Sequence, residues 1–254
     1  MRLHVLSDLH LERGEPLPPV ADADVVLLAG DIGRGVDGLQ AAARWWTDVP
    51  ILYVSGNHEP YGGALPDITD RLREASARFG DRVRVLEDDE AVIGGVRFLG
   101  CTLWSDFAAG GGEEEREFSM ELCARAVNDY RHVSWSPESR TLRPDDTLGL
   151  HAASRRWLAD RLAVPFDGAT VVMTHHGPLP PPSRIPSAVR RAIAGAFVSD
   201  LSELMNAERV ALWVYGHTHR VHDDDAHGTR VLSNPRGYPQ ERVAGFDPAL
   251  VVEV

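Results

Sequence analysis

Short apolar runs punctuate this chain, and several of them end abruptly in a polar cluster. Residues 3–6, 25–29, 51–54, 171–173 and 210–215 are almost wholly apolar and too short for helices, so they read as buried strands. Between the early runs the period changes. Residues 37–47 place Leu39, Ala42, Ala43 and Trp46 at helical spacing, and residues 65–79 do the same with Leu65, Ile68, Leu72, Ala75 and Phe79. Strands at 83–85, 90–93 and 96–99 follow, the last two joined by a Gly94-Gly95 hairpin turn. A βαβα beginning followed by hairpins predicts an α/β sandwich, with the polar clusters on loops at the carboxyl ends of strands.

The second half is less regular. Residues from about 102 to 156 read as a cap-like insertion. It opens at Gly110-Gly111-Gly112, continues as a charged helix over 113–130, loops through Pro137, Pro144 and the two aspartates that follow, and re-enters a helix over 148–162. Glu113-Glu114-Glu115 fits a first helical turn facing water, where carboxylates suit the helix dipole. Pro178-Leu179-Pro180-Pro181-Pro182 is stiff and serves equally as a connector or a cleft wall. A helix is expected over 187–207, a solvated hairpin tip at Asp223-Asp224-Asp225, and strands at 230–233 and 249–254 closing a second sheet. With no internal repeat or flexible linker, the expected organisation is one domain over 1–254 carrying the insertion at about 102–156.

The chain has 254 residues, 43% apolar and 25% charged, the composition of a soluble globular protein. A net charge of −12 argues against sequence-independent nucleic-acid binding. It leaves room for a small anionic substrate, because bound cations reverse the local field. No apolar run approaches the roughly 20 residues of a membrane span, and a secretory leader is not expected ahead of the first strand. Cys101 and Cys123 lack zinc-finger spacing and fit a reducing compartment, so a cytoplasmic location is expected.

Chemistry concentrates in five clusters: Asp8-Leu9-His10, Gly30-Asp31, Gly56-Asn57-His58-Glu59, His175-His176 and Gly216-His217-Thr218-His219. Any one alone is ordinary turn chemistry. His4, His132, His151, His222 and His227, outside the clusters, are read as structural or exposed. Together, carboxylate, imidazole and amide groups at successive strand ends suit a pair of borderline-to-hard divalent cations. Two such ions about 3.5–4 Å apart can clamp a displacement at phosphorus, and holding them requires an anionic bridge. Asp31, a short carboxylate after glycine, is the natural bridge. Asp8 and His10 can converge on one ion, Asn57 offers a carbonyl oxygen to the other, and His217 and His219 point the same way from an extended backbone.

The ordered series Asp-x-His, Gly-Asp, Gly-Asn-His-Glu, His, Gly-His-x-His, running from Asp8 to His219, resembles the calcineurin-like metallophosphoesterase superfamily. The resemblance implies a metallophosphoesterase-type β-sandwich of two mixed sheets flanked by helices. It implies Asp8, His10, Asp31 and His219 as ligands of one divalent ion, and Asp31, Asn57, His175 and His217 as ligands of a second. Of the two adjacent imidazoles, the family pattern selects His175 over His176. His58 would assist the leaving group, with Glu59 orienting or tuning it and a metal-bridging hydroxide attacking. The ions implied are Mn, Fe, Zn or Ni, and the activity is hydrolysis of a small phosphate ester. A phosphodiesterase is preferred over a phosphomonoesterase of the same fold, and a catalytically silent protein-binding scaffold is the reading from another class. Trp104, Asp129 and Arg236 lie around the rim, Arg236 with a planar fork suited to an anion.

Overall fold

The computed structural model describes residues 1–109, 111, 113–136, 138–180 and 187–254. Gly110, Gly112, Pro137, Pro181 and Pro182 therefore lie outside the described residues. The first half runs β1 (Arg2–Leu6), β2 (Val25–Ala29), α1 (Asp37–Trp45), β3 (Ile51–Val54), β4 (Ala64–Leu65), α2 (Asp67–Ala77), β5 (Val83–Val85), β6 (Asp89–Ile93) and β7 (Val96–Cys101). Then come α3 (Glu113–Ala126), α4 (Asp129–His132), β8 (Ser134–Trp135), β9 (Arg140–Thr141) and α5 (Pro144–Ala163). The chain closes with β10 (Thr170–Thr174), α6 (Ala188–Ala194), β11 (Leu212–Tyr215), β12 (His222–Ala226), β13 (Thr229–Ser233) and β14 (Val251–Glu253).

Two large mixed sheets result, in the orders β14-β1-β2-β3-β5 and β12-β13-β11-β10-β7-β6, with a small third sheet in the order β4-β8-β9. Alternation along the strands separates their faces. Leu3, Val5, Val25, Leu27, Leu52 and Val54 of the first sheet meet Phe98, Val171, Met173, Leu212 and Val214 of the second in a layer between them. The opposite side chains of the first sheet, such as Leu6, Val26 and Leu28, pack on α1 and α2 through Leu39, Trp46, Ile68 and Leu72. Val172, Trp213 and Val231 of the second sheet are covered by Leu158 and Leu162 of α5. The layers are thus helix, sheet, sheet, helix, as expected of the metallophosphoesterase fold. Among the described residues no helix is long and apolar enough to cross a membrane.

Several expectations need correction. The strand expected at 249–254 does not close the second sheet; β14 pairs antiparallel with β1 at the edge of the first. The helix expected over 187–207 stops at Ala194, because the chain turns back and Gly177 exchanges backbone bonds with Phe197 and Ser199, each 3.0 Å. Pro144 and the aspartates after it form no loop: Pro144 opens α5, where its missing N–H costs nothing, and Asp146 caps the Arg143 backbone N–H at 2.8 Å. Residues 144–156, expected in the insertion, are therefore part of the helix that covers the second sheet. The helix expected over 113–130 is two helices, α3 and α4, and that expected from 65 starts at Asp67 because Leu65 pairs with Trp135. Asp223–Asp225 are exposed as expected but lie within β12, and the hairpin turns at His227-Gly228.

Phe98, wholly buried between the sheets, reports on their packing. Phe98→Ala is expected to destabilise the fold by about 3–5 kcal/mol in urea unfolding, as large-to-small core changes do.

Candidate metal centre

All five clusters meet at one end of the sandwich, beyond β1, β2, β3, β10 and β11. Tight loops hold them there. Asp8, His10, Asp31, His217 and His219 all have positive φ, between 44° and 64°. Non-glycine residues seldom adopt that region, and one that does costs of order 1–3 kcal/mol, so the surroundings must fix it. They do so through the backbone. His217 N–H donates to both Asp8 carboxylate oxygens at 3.0 and 3.1 Å, His58 N–H to Asp31 Oδ1 at 2.8 Å, and His10 N–H to the Asp31 carbonyl at 2.9 Å. Glycine is required where these loops touch. A Cβ on Gly56 would stand 2.1 Å from Asp31 Oδ1, and one on Gly216 would stand 2.6 Å from Asp8 Oδ2.

The side chains form three overlapping groups whose donor atoms lie within 4.8 Å of one another: Asp8, His10 and His219; His10, Asp31 and His58; and Asp31, His175 and His217. Asp31 joins two of them. Its Oδ2 is 3.8 Å from His10 Nε2 and 3.9 Å from His58 Nε2, and its Oδ1 is 3.5 Å from His175 Nε2. His10 Nε2 and His219 Nε2 face each other at 3.2 Å, and His219 Nε2 is 3.3 Å from Asp8 Oδ1. Asn57 Oδ1 is 2.9 Å from His175 Nε2. Of the adjacent histidines, His175 enters the cluster. His176 turns away, its Nδ1 3.2 Å from the Thr102 carbonyl and its ring beside His217 and Trp104.

Protonation supports the fit to divalent cations. His175 donates its Nδ1–H to the Ala29 carbonyl at 2.9 Å, and burial pushes its pKa down, so Nε2 presents a lone pair. Burial likewise lowers His217, whose Nε2 is enclosed without a hydrogen-bond partner among the described residues. Asp31 is pushed well above the carboxylate range by burial and by the charges of Glu59 and Asp8. Burial would also raise Asp8, but the hydrogen bond from His219 and the surrounding imidazoles bring it below its ordinary value. A cluster of carboxylate, imidazole and amide lone pairs converging in a dry site suits bound divalent ions.

The hydrogen bonds of Glu59 go to the loops around His58 and to Tyr53. Its carboxylate accepts from Asp31 N–H, Ile32 N–H, Gly56 N–H and the Tyr53 hydroxyl, at 2.6–3.2 Å, clamping the loops after β2 and β3 together. Glu12 sits behind His58, with Oε1 3.5 Å from His58 Nδ1 and 3.1 Å from His10 Nδ1. Sequence reasoning missed Glu12, although it follows His10 by two residues. It also missed Tyr238, whose hydroxyl is 3.0 Å from His58 Nε2, and Tyr61, which stacks on the His58 ring at 4.2 Å. Glu241 accepts from His219 Nδ1 at 2.5 Å. Of the rim residues, Trp104 is buried against His176, Asp129 bonds Asn57, and Arg236 donates to the carbonyls of Pro16 and Leu9.

Gly56→Ala is expected to displace the Asp31 carboxylate and lower the metal content of the purified protein, read by elemental analysis beside a thermal unfolding curve. His219 gives a pH signature. Burial lowers its pKa, but the hydrogen bond and charge of Asp8 and the Glu241 carboxylate outweigh this and raise it to about 9. Below that pH it holds a proton that a cation must displace. Mn²⁺ affinity is therefore expected to rise with pH until about 9, with proton release near neutrality, measured calorimetrically in buffers of different ionisation heat.

A model of the calcineurin-like phosphoesterase family matches residues 1–221. Uncharacterized protein L509 of Acanthamoeba polyphaga mimivirus is 24% identical over 283 aligned residues, spanning 99% of this chain and 96% of that protein. The solved phosphopantetheinyl hydrolase of Mycobacterium tuberculosis superposes with a TM-score of 0.74 at 20% identity, covering 99% of this chain and 95% of that one. The calcineurin-like phosphoesterase YfkN of Bacillus subtilis matches over 92% of this chain and 80% of its own at 10% identity, with a TM-score of 0.41. The family match spans all five clusters, and the chain belongs to the calcineurin-like phosphoesterase family.

Proposed function

We propose that the chain is a divalent-metal-dependent phosphodiesterase acting on small phosphate esters. The observation that carries this reading is the sharing of Asp31 between two donor groups, one with His10 and His58 and the other with His175 and His217. Asp8, His10, Asp31 and His219 would hold one ion, and Asp31, Asn57, His175 and His217 the other. Mn²⁺, Fe, Zn²⁺ and Ni²⁺ all suit such donors, with Mn²⁺ the first to test. Bound there, the ions would supply Lewis acidity toward the phosphoryl oxygens and an acidified water as nucleophile.

The remaining chemistry falls to the chain. His58 Nε2, at the edge of the cluster, is placed to hold a proton for the departing ester oxygen. Glu12 Oε1 lies 3.5 Å from Nδ1, a charge that favours a proton on that side and leaves Nε2 facing the substrate, and Tyr61 stacking sets the plane of the ring. The Tyr238 hydroxyl marks where a substrate oxygen would approach His58. Burial raises the pKa of Tyr61 and Tyr238, so both are neutral phenols and favour the single charge of a diester. Arg236 turns both terminal nitrogens to backbone carbonyls and is not the clamp that a doubly charged monoester would favour. The phosphopantetheinyl hydrolase adds a reason to test diesters first, because a phosphopantetheinyl group joined to an alcohol is one. A cytoplasmic setting accords with two free, buried thiols, Cys101 and Cys123.

With Mn²⁺, the protein is expected to hydrolyse bis-p-nitrophenyl phosphate faster than p-nitrophenyl phosphate. His58→Ala should retain its metal and lose about 10²–10⁴-fold in kcat on alkyl diesters, the usual contribution of a general acid. The loss should be smaller for nitrophenyl esters, whose leaving group departs without a proton. Metal-loaded protein that cleaves neither diester nor monoester would rule the enzyme out.

A further inference from the structure

Asp129 begins α4, within the segment between β7 and α5, and is 3% exposed. Its Oδ1 accepts from Asn57 Nδ2 at 2.7 Å and from the Tyr61 hydroxyl at 2.5 Å. The first bond decides which way the Asn57 amide faces. With its nitrogen on Asp129, its oxygen is turned to His175 Nε2, 2.9 Å away. His175 has already committed its Nδ1–H to the Ala29 carbonyl, so two lone pairs confront each other. That arrangement suits two ligands of one cation and is poor as a hydrogen bond.

Half a turn of the amide would reverse this. Asn57 Nδ2 would donate to His175 Nε2, each group would satisfy the other, and neither would offer a lone pair to an ion. The turned amide would also set its oxygen against the Asp129 carboxylate, two acceptors at hydrogen-bond distance. Asp129 therefore disfavours the closed pair and keeps the open one. Through the same oxygen it holds Tyr61, whose ring lies 18° from parallel on His58. The segment carrying it is tied to the same loop again where β8 pairs with β4 and where Gly62 N–H donates to the His132 carbonyl at 2.9 Å.

We propose that Asp129 is a positioning residue for the metal centre: it holds the Asn57 amide oxygen toward the ion and, through Tyr61, seats His58. The proposal rests on the metal-centre reading above, and the carboxylate comes from outside the five clusters that the sequence marks.

Mn²⁺ titration of the metal-free full-length protein tests it by calorimetry. Asp129→Ala is expected to weaken one class of Mn²⁺ sites by about 10–100-fold, the usual effect of removing a group that orients a ligand. Asp129→Asn, whose Oδ1 can accept where the carboxylate did, should recover most of that loss. Asn57→Ala should weaken the same sites, and Asn57→Ala with Asp129→Ala should be no weaker than Asn57→Ala alone, because the two act on one ligand. Tyr61→Phe should keep wild-type Mn²⁺ affinity and lower kcat on diesters. If Asn57→Ala weakens binding and folded Asp129→Ala does not, the proposal fails while the metal centre stands. If Asn57→Ala binds Mn²⁺ like wild type, the metal-centre reading itself fails. A wild-type crystal soaked in Mn²⁺ needs no variant to fold: an ion beside Asp31 and His175 that Asn57 Oδ1 does not touch overturns the proposal.

Discussion

Asp31 is a carboxylate almost without water, and the rest of the centre answers to it. It is 1% exposed, and the charges of Glu59 and Asp8 oppose its own ionisation. Carboxylates in such a place ionise together only against positive charge. His10, His58 and His175 surround it through nitrogens between 3.5 and 3.9 Å away, and burial lowers the pKa of His10 and His175, which disfavours their charged forms. Divalent cations resolve the conflict, since they bind the lone pairs of neutral imidazoles and compensate the carboxylates at once. The same argument explains why the donors sit on strained backbone. A cation site demands convergence, and five positive-φ residues turn their side chains inward where regular strand ends would let them diverge.

Convergence in turn depends on the two sheets meeting closely at one end. His175 from β10 donates to the Ala29 carbonyl at the end of β2, and a Cβ on Gly216, after β11, would stand 2.8 Å from that same carbonyl. Ala29 thus touches both second-sheet loops, and the centre lies on the seam between sheets. Glu59 fixes the neighbouring loops of the first sheet with three backbone N–H groups and the Tyr53 hydroxyl. A buried carboxylate with four donors is well satisfied, and its charge adds to the demand for cations beside it.

The strands and the donors were legible because each carries a local signal. Apolar runs ending in Asp8, Asp31, Asn57, His175 and His217 state both where a strand stops and what it delivers. Choosing His175 over His176 needed the family pattern, because side-chain direction past a strand end depends on the turn, and here His176 swings against Trp104. Elements set by partners far along the chain were not legible. Phe197, Val198, Leu201 and Leu204 have helical spacing, yet that stretch gives its backbone bonds to Gly177 and Pro178. The edge position of β14 depends on β1, more than two hundred residues earlier, and no property of residues 249–254 distinguishes one sheet edge from another.

The carboxylates whose roles escaped sequence reading share one trait: each stands behind a donor, away from the centre. Glu12 backs His10 and His58, Glu241 backs His219, and Asp129 backs Asn57. Their task is to fix a tautomer or an amide orientation, and that task constrains only the distance to one polar atom. Any backbone that reaches the spot can supply it: a short turn after β1 for Glu12, a loop near the carboxyl end for Glu241, a helix between β7 and α5 for Asp129. Direct ligands must leave strand ends at fixed angles, so they recur in a readable pattern. Their supports answer to weaker geometry and leave no pattern, although they decide whether a lone pair faces the ion or a neighbour. The sequence therefore advertises what could bind metal, and the tertiary structure decides whether those groups are pointed to do so.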